Sequence, residues 1–276
     1  MTSYTIGLDD TDSGRAALDW VRSLPLGTGD FVKIVTVTEF FGEASSPADR
    51  RLVEAADAMR RGHPGLHVVE ISADGPTVGQ LIAEAQGGHL LVIGSHRDRI
   101  LQSVVTGWLP ERIAVASPVP TVVVPDDWER PDDDGRGDVV VGVDTVGETG
   151  AAVLGARFAG LFGRSLLLVS ARPVPVGAVV AGGRTAAVPL AQLRQEDADV
   201  LQAVIARVHA RYPEVEVRAH AVDGDPIDVL AEAATDAVIV LIGREHRTAV
   251  TGALFGSVGM HLIHGSRTPV CVVPSS

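Results

Sequence analysis

A single cysteine, Cys271, rules out a disulfide within the chain and predicts a reducing compartment. Its neighbours Pro269, Val270, Val272 and Val273 predict a buried thiol of the core rather than a reactive one. Aromatic residues are scarce, at 4% of 276 residues against 46% apolar residues overall. The core must therefore be filled by Val, Ile, Leu and Ala, which suits sheets packed between helices. Positive charge is short as well: 23 Lys and Arg face 35 Asp and Glu, a formal charge of −12. That balance argues against an electrostatic grip on DNA, RNA or an anionic membrane. No apolar run approaches the roughly 20 residues of a transmembrane helix. The opening MTSYTIGLDD lacks the basic start and apolar core of a signal peptide. These absences predict a soluble, cytoplasmic chain.

Signatures of enzymes are missing too. The sequence has no Gly-x4-Gly-Lys-Ser/Thr phosphate loop, no Gly-x-Ser-x-Gly elbow, no His-Glu-x2-His pair and no Cys/His cluster. It also lacks the Gly-x-Gly-x2-Gly spacing of a dinucleotide fold after a first strand. The expectation is a protein that is not an enzyme, with at most slow, incidental ATP hydrolysis.

What the chain does have is a repeat. The segment Leu90 to Pro125 and the segment Val238 to Pro274 both read apolar strand, Gly, loop, Gly, helix, Pro, strand. Gly94 and Gly107 are 13 residues apart, as are Gly243 and Gly256. Each half also opens on a short apolar run ending in Asp: Tyr4 to Asp9, and Val139 to Asp144. Near-continuous apolar runs of this length fit strands covered on both faces, as in a parallel sheet. Helices are predicted at Ser13 to Leu24 and Glu148 to Phe162, then second strands at Phe31 to Thr38 and Ser165 to Ser170. Further helices at Pro47 to Arg61 and Leu190 to Arg211 precede third strands at Leu66 to Ser72 and Val215 to Val222. The turns Ala73 to Thr77 and Val222 to Asp228 carry Asp-Gly with a nearby Pro, a tight turn followed by a helix start. Helices at Val78 to Ala85 and Ile227 to Ala234 lead to fourth strands at Leu90 to Ile93 and Val238 to Ile242. The final strands are Thr121 to Val124 and Val270 to Val273.

This alternation predicts an α/β fold of two tandem doubly wound, mostly parallel five-stranded sheets with helices on both faces. The predicted divisions are 1–125, an acidic, solvated linker at 126–137, and 138–276. The segment Arg172 to Pro189 reads as a long loop, a candidate flap or contact surface.

The ordered set of strand-end Asp, Gly-Asp-Pro-type turn, spaced glycine loop and terminal Pro-Val-x-Val-Val strand resembles the universal stress protein family, in two tandem copies. In the nucleotide-binding branch of that family the loop reads Gly-x2-Gly-x9-Gly-Ser/Thr. The second half keeps Gly243, Gly256 and Ser257 but has His246 at the second glycine, with Arg244 and Arg247 beside it. The first half keeps Gly94 and Gly107 but has Arg97 and Trp108 at the other two positions. Glycines let a phosphate approach backbone N–H groups, and a helix N-terminus behind them favours the negative charge. The resemblance therefore implies binding of ATP or a related adenine nucleotide (with or without magnesium) mainly in the second half. The implied site comprises Gly142, Asp144, Ala171, Ile242, Gly243, Glu245, His246, Gly256, Ser257 and Val258. The base would lie near Ala171 and Asp144, and the phosphates on Gly243, Gly256, Ser257 and Val258. The implied role is a sensor or regulator in stress response; the alternative is a nucleotide-free interaction or assembly module with drifted loops. The resemblance also implies pairing through the terminal strands, between halves and in a homodimer, with an unidentified protein partner for a regulator.

Simpler readings stand beside these. Asp9 and Asp144 read equally as helix caps, Gly94 and Gly243 as turn glycines, and Gly107 and Gly256 as packing glycines. Gly256-Ser257 also reads as a helix N-cap pair. His261 and His264 share a helix face at i, i+3, but no third metal ligand stands at a supporting spacing, so a solvated face is favoured. His96, Arg97 and Arg99 form a basic loop, either exposed or anion-binding.

Overall fold

The computed structural model describes residues 1–39, 47–96, 109–130, 137–144, 149–173, 190–244 and 257–275. Glu245, His246, Gly256, Gly107 and Trp108 lie outside the described residues, as does 174–189 of the predicted flap. The first half runs β1 (Ser3–Gly7), α1 (Asp12–Ser23), β2 (Phe31–Thr38), α2 (Pro47–Gly62), β3 (His67–Asp74), α3 (Thr77–Ala85), β4 (Leu90–Ser95), α4 (Leu109–Ala116) and β5 (Thr121–Pro125). The second repeats it as β6 (Val139–Gly142), α5 (Gly150–Phe162), β7 (Leu166–Arg172), α6 (Leu190–His209), β8 (Val217–Asp223), α7 (Pro226–Thr235), β9 (Ile239–Gly243), α8 (Ser257–Gly265) and β10 (Val270–Val273).

Local chemistry sets these boundaries. Thr11 caps α1 by accepting from the Gly14 N–H, and Asp225 caps α7 by accepting from the Ile227 N–H at 2.8 Å, with Pro226 in the first turn. Gly163 ends α5 in the left-handed region at φ 63°, where a side chain would be strained. Strands β1, β4, β5, β6 and β9 are mostly buried, which is why they read as near-continuous apolar runs.

The two predicted sheets are fused into one of ten strands, in the order β3-β2-β1-β4-β5-β10-β9-β6-β7-β8. Every pairing within a half is parallel, while β5 and β10 pair antiparallel, with Cys271 opposite Val122. The terminal strands therefore use their free edges on each other. The pairing of halves implied by the resemblance is thus met within the chain, where β5 lies between β4 and β10, and β10 between β5 and β9, so neither strand offers a free edge to a second copy. The strands left at the two sheet edges are β3 and β8.

Other contacts reinforce the seam. Trp20 on α1 meets Phe158 on α5 edge to face at 6.0 Å, and Phe158 stacks on Phe162 at 5.8 Å. Arg157 on α5 donates to the hydroxyl of Thr2. The linker begins less solvated than its composition predicts: Trp128 is half-buried against the core, and its N–H donates to the Pro125 carbonyl at 3.1 Å.

Candidate functional site at the strand switch points

In each half the strand order reverses direction between the first and fourth strands, β1 beside β4 and β6 beside β9. Chains leaving those two carboxyl ends go to opposite sides and leave a crevice, the usual ligand position in open α/β sheets. Because β5 and β10 are antiparallel, the two crevices face opposite ends of the long sheet.

The first crevice is laced across by hydrogen bonds. Asp9, exposed just beyond β1, accepts from the Thr11 N–H at 3.1 Å and from its hydroxyl at 2.5 Å. The Thr11 hydroxyl lies 2.8 Å from that of Ser13, and Ser13 Oγ lies 3.2 Å from Nε2 of His96, just beyond β4. His96 Nδ1 in turn lies 3.2 Å from Oδ2 of Asp126, which follows β5. Gly94 is pressed beneath this network: a Cβ there would stand 2.0 Å from the Ser13 carbonyl oxygen. Thr11 is the α1 cap, so Asp9 steadies the cap rather than serving as one.

Ser13, His96 and Asp126 hold the order of a hydrolytic triad. Yet Ser13 is only 2% exposed, and its hydroxyl is shared between Thr11 and His96 rather than offered to a substrate. The arrangement fixes the start of α1 against β4. Sequence reading missed Ser13 and Asp126 and took His96 only as part of a basic loop. The signal was present: Asp9, His96 and Asp126 each stand within two residues after a parallel strand of the same half, and so at the same end of the sheet.

In the second half, five of the implied site residues gather at the carboxyl ends of β6, β7 and β9. Gly142 pairs with Ile242 in the ladder, half-buried Asp144 follows two residues on, Ala171 is half-buried near the end of β7, and Gly243 ends β9. Ser257 opens α8 and is exposed, with Val258 half-buried beside it. The structure gives Gly142 a packing reason as well, since a Cβ there would stand 3.0 Å from Leu230 of α7. Just beyond Ala171, Arg172 forks onto Asp197 of α6, with Nε 2.8 Å from Oδ2. Helix α5 begins at Gly150 under Thr149, which makes no side-chain cap bond.

Arg244, named from the sequence as a neighbour of His246, contacts the first half. Its guanidinium reaches into the first half and donates to the carbonyls of Val115 and Ser117, the latter at 2.9 Å. His264 likewise faces the first half, with Nε2 4.0 Å from Oε2 of Glu111 on α4, while His261 is exposed. Burial lowers the His264 pKa from its ordinary 6.5, against the raising pull of Glu111 and with a further lowering from His261. Burial pushes the Cys271 thiol far up, so it stays protonated.

A duplicated α/β fold with a crevice at each strand reversal, joined through its terminal strands, defines the class. The Universal stress protein family model matches residues 5–125 and again 136–274, and the chain belongs to that family. It is similar to universal stress proteins of Mycobacterium tuberculosis and Mycobacterium bovis, each 26% identical over 297 residues, covering 98% of this chain and 96% of the relative. Its fold is shared by a universal stress protein from Archaeoglobus fulgidus, with a TM-score of 0.66 at 16% identity, covering 99% of this chain and 96% of that one. Among the described residues no helix is long and apolar enough to cross a membrane.

Proposed function

We propose that this tandem universal stress protein binds an adenine nucleotide, ATP foremost, in the crevice between β6 and β9. Occupancy would then act as a regulatory signal in stress response rather than as a step of metabolism. The observation that carries this reading is the gathering of Gly142, Asp144, Ala171, Ile242 and Gly243 at the carboxyl ends of β6, β7 and β9. Asp9, Thr11, Ser13, His96 and Asp126 tie the first crevice across, and Gly94 seats α1 against it. The second presents Asp144 and Gly243 at its rim, Ser257 exposed at the start of α8, and an α5 whose first turn lacks a side-chain cap. A carboxylate suits hydroxyl or amino donors of a nucleoside, while a hydroxyl and first-turn N–H groups suit phosphate oxygens. The first half, on this reading, is a nucleotide-free scaffold.

Isothermal titration of ATP with magnesium tests it, using wild type, Asp144→Ala and, as a first-half control, Asp9→Ala. The expected result is wild-type binding at about millimolar Kd or tighter, weakened about tenfold or more in Asp144→Ala and retained in Asp9→Ala. Protein that shows no heat with ATP and carries no absorbance near 260 nm through purification would replace this reading with that of an interaction module.

A further inference from the structure

Gly243, at the rim of the second crevice, is followed by a residue held at its N–H, its carbonyl and its side chain. The N–H of Arg244 donates to the Val273 carbonyl at 2.7 Å, and its carbonyl accepts from the Ser275 hydroxyl at 2.6 Å. A peptide unit is planar, so these two bonds orient both peptide planes flanking the Arg244 Cα. The first of those planes carries the carbonyl of Gly243. The guanidinium then crosses the seam and donates to the Val115 and Ser117 carbonyls, at the C-terminal end of α4.

The far end of this strut is rigid. Ser117 is 1% exposed, its N–H donates to the Ile113 carbonyl at 2.8 Å and its hydroxyl to the Val119 carbonyl at 2.8 Å. Ile113 and Val119 are themselves buried in the core. A planar guanidinium on two such acceptors keeps little freedom.

The first half treats the matching position differently. Ser95 follows Gly94 as Arg244 follows Gly243, and its carbonyl likewise accepts, from the Asp126 N–H at 2.9 Å. Its hydroxyl, however, turns to the Val124 carbonyl of its own half, at 3.5 Å. The crossing contact thus belongs to the half whose crevice gathers Gly142, Asp144 and Gly243.

We propose that Arg244 is a positioning residue for the second crevice, through which the first half holds the Gly243 rim in the shape that receives phosphate. The proposal rests on the nucleotide reading above. It gives the first half a role other than binding, because α4 then sets the affinity of a site in the other half. A rim already held loses less conformational freedom on binding, and freeing one residue of backbone costs about fivefold in affinity or more. Coupling is reciprocal, so a ligand in the crevice in turn tightens the end of α4.

The test titrates ATP with magnesium calorimetrically into the full chain as wild type, Arg244→Ala, Arg244→Lys and Arg157→Ala. Arg157 bonds across the same seam, to the Thr2 hydroxyl, from a helix on the opposite face of the sheet, and so controls for general loosening. Arg244→Ala is expected to bind about fivefold more weakly or worse, Arg244→Lys to fall between it and wild type, and Arg157→Ala to stay within about twofold of wild type. Hydrogen exchange supplies a second readout. Saturating ATP is expected to slow the amides of Ile113 to Ser117 about twofold or more in wild type, but not in Arg244→Ala. Should the alanine variant not fold, the lysine variant carries the test, with a weakening of about twofold or more expected. Wild-type binding that is matched by the Arg244 variant, equal weakening in Arg157→Ala, or no slowing in α4 would each overturn the positioning role and leave the nucleotide reading standing. A wild type that takes up no ATP would overturn both.

Discussion

Arg244, at the exit of β9, spans the two halves to reach Ser117, donating to its carbonyl oxygen at 2.9 Å. Ser117 follows directly on α4, and Arg244 also donates to Val115 within the last turn of that helix. Last-turn carbonyls of a helix have no partner within it, so the guanidinium satisfies acceptors that would otherwise be left over. Arg244 is itself fixed, its N–H on the Val273 carbonyl at 2.7 Å and its own carbonyl accepting from the Ser275 hydroxyl at 2.6 Å. The chain entering the second glycine loop is thereby anchored on the first half.

Arg244→Ala is expected to lower stability by about 1.5–3 kcal/mol, the range for hydrogen bonds involving a charged group. Arg244→Lys should recover part of the loss, since an ammonium can reach one carbonyl but lacks the planar fork. Urea denaturation measures both variants. A loss below about 0.5 kcal/mol in the alanine variant would mean that these bonds contribute nothing net.

Gly94→Ala places a methyl group 2.0 Å from the Ser13 carbonyl oxygen and 2.2 Å from its carbon, both backbone atoms. Relief requires α1 to move off β4, which also breaks the Ser13 to His96 contact. The expected cost is about 3 kcal/mol or more, against nearly none for Gly29→Ala, whose Cβ would meet no atom within 4 Å. Equal thermal midpoints for the two variants would show that the close approach of α1 to β4 is wrong.

His264 gives the seam a pH dependence of defined sign. Its folded pKa lies below the ordinary 6.5, chiefly through burial, so the unfolded chain binds this proton more readily. The contribution is fully present above 6.5 and is lost as pH falls from there through the lowered folded value. The urea midpoint should fall between about pH 7.5 and 5.5, and His264→Asn should fall less. An equal decline in both proteins would assign the acid sensitivity elsewhere.

The elements were legible because their physics is local. Val139 to Val141 and Leu90 to Ile93 read as covered strands from unbroken apolar runs, and both are buried in the sheet. Pro226 after Asp225 marked the start of α7, since proline suits a first turn and aspartate suits its cap. The matched 13-residue spacing of Gly94 to Gly107 and of Gly243 to Gly256 marked the duplication. Trp128 was illegible for the opposite reason. An acidic, turn-rich stretch reads as solvated, and only the presence of a seam gives a single indole something to pack against.

The sequence by itself determined two copies of a strand-and-helix alternation and their family. Those features rest on periodicity, on charge and on residue types that act over a few neighbours. Tertiary structure decided the antiparallel sense and the register in which the terminal strands β5 and β10 join, because these depend on which edges are left free once each sheet has formed. It also decided that Ser13, His96 and Asp126, separated by 83 and 30 residues, close over the first crevice. Contacts at that separation arise when the parallel strands bring their carboxyl ends together, and no local pattern in the chain encodes them.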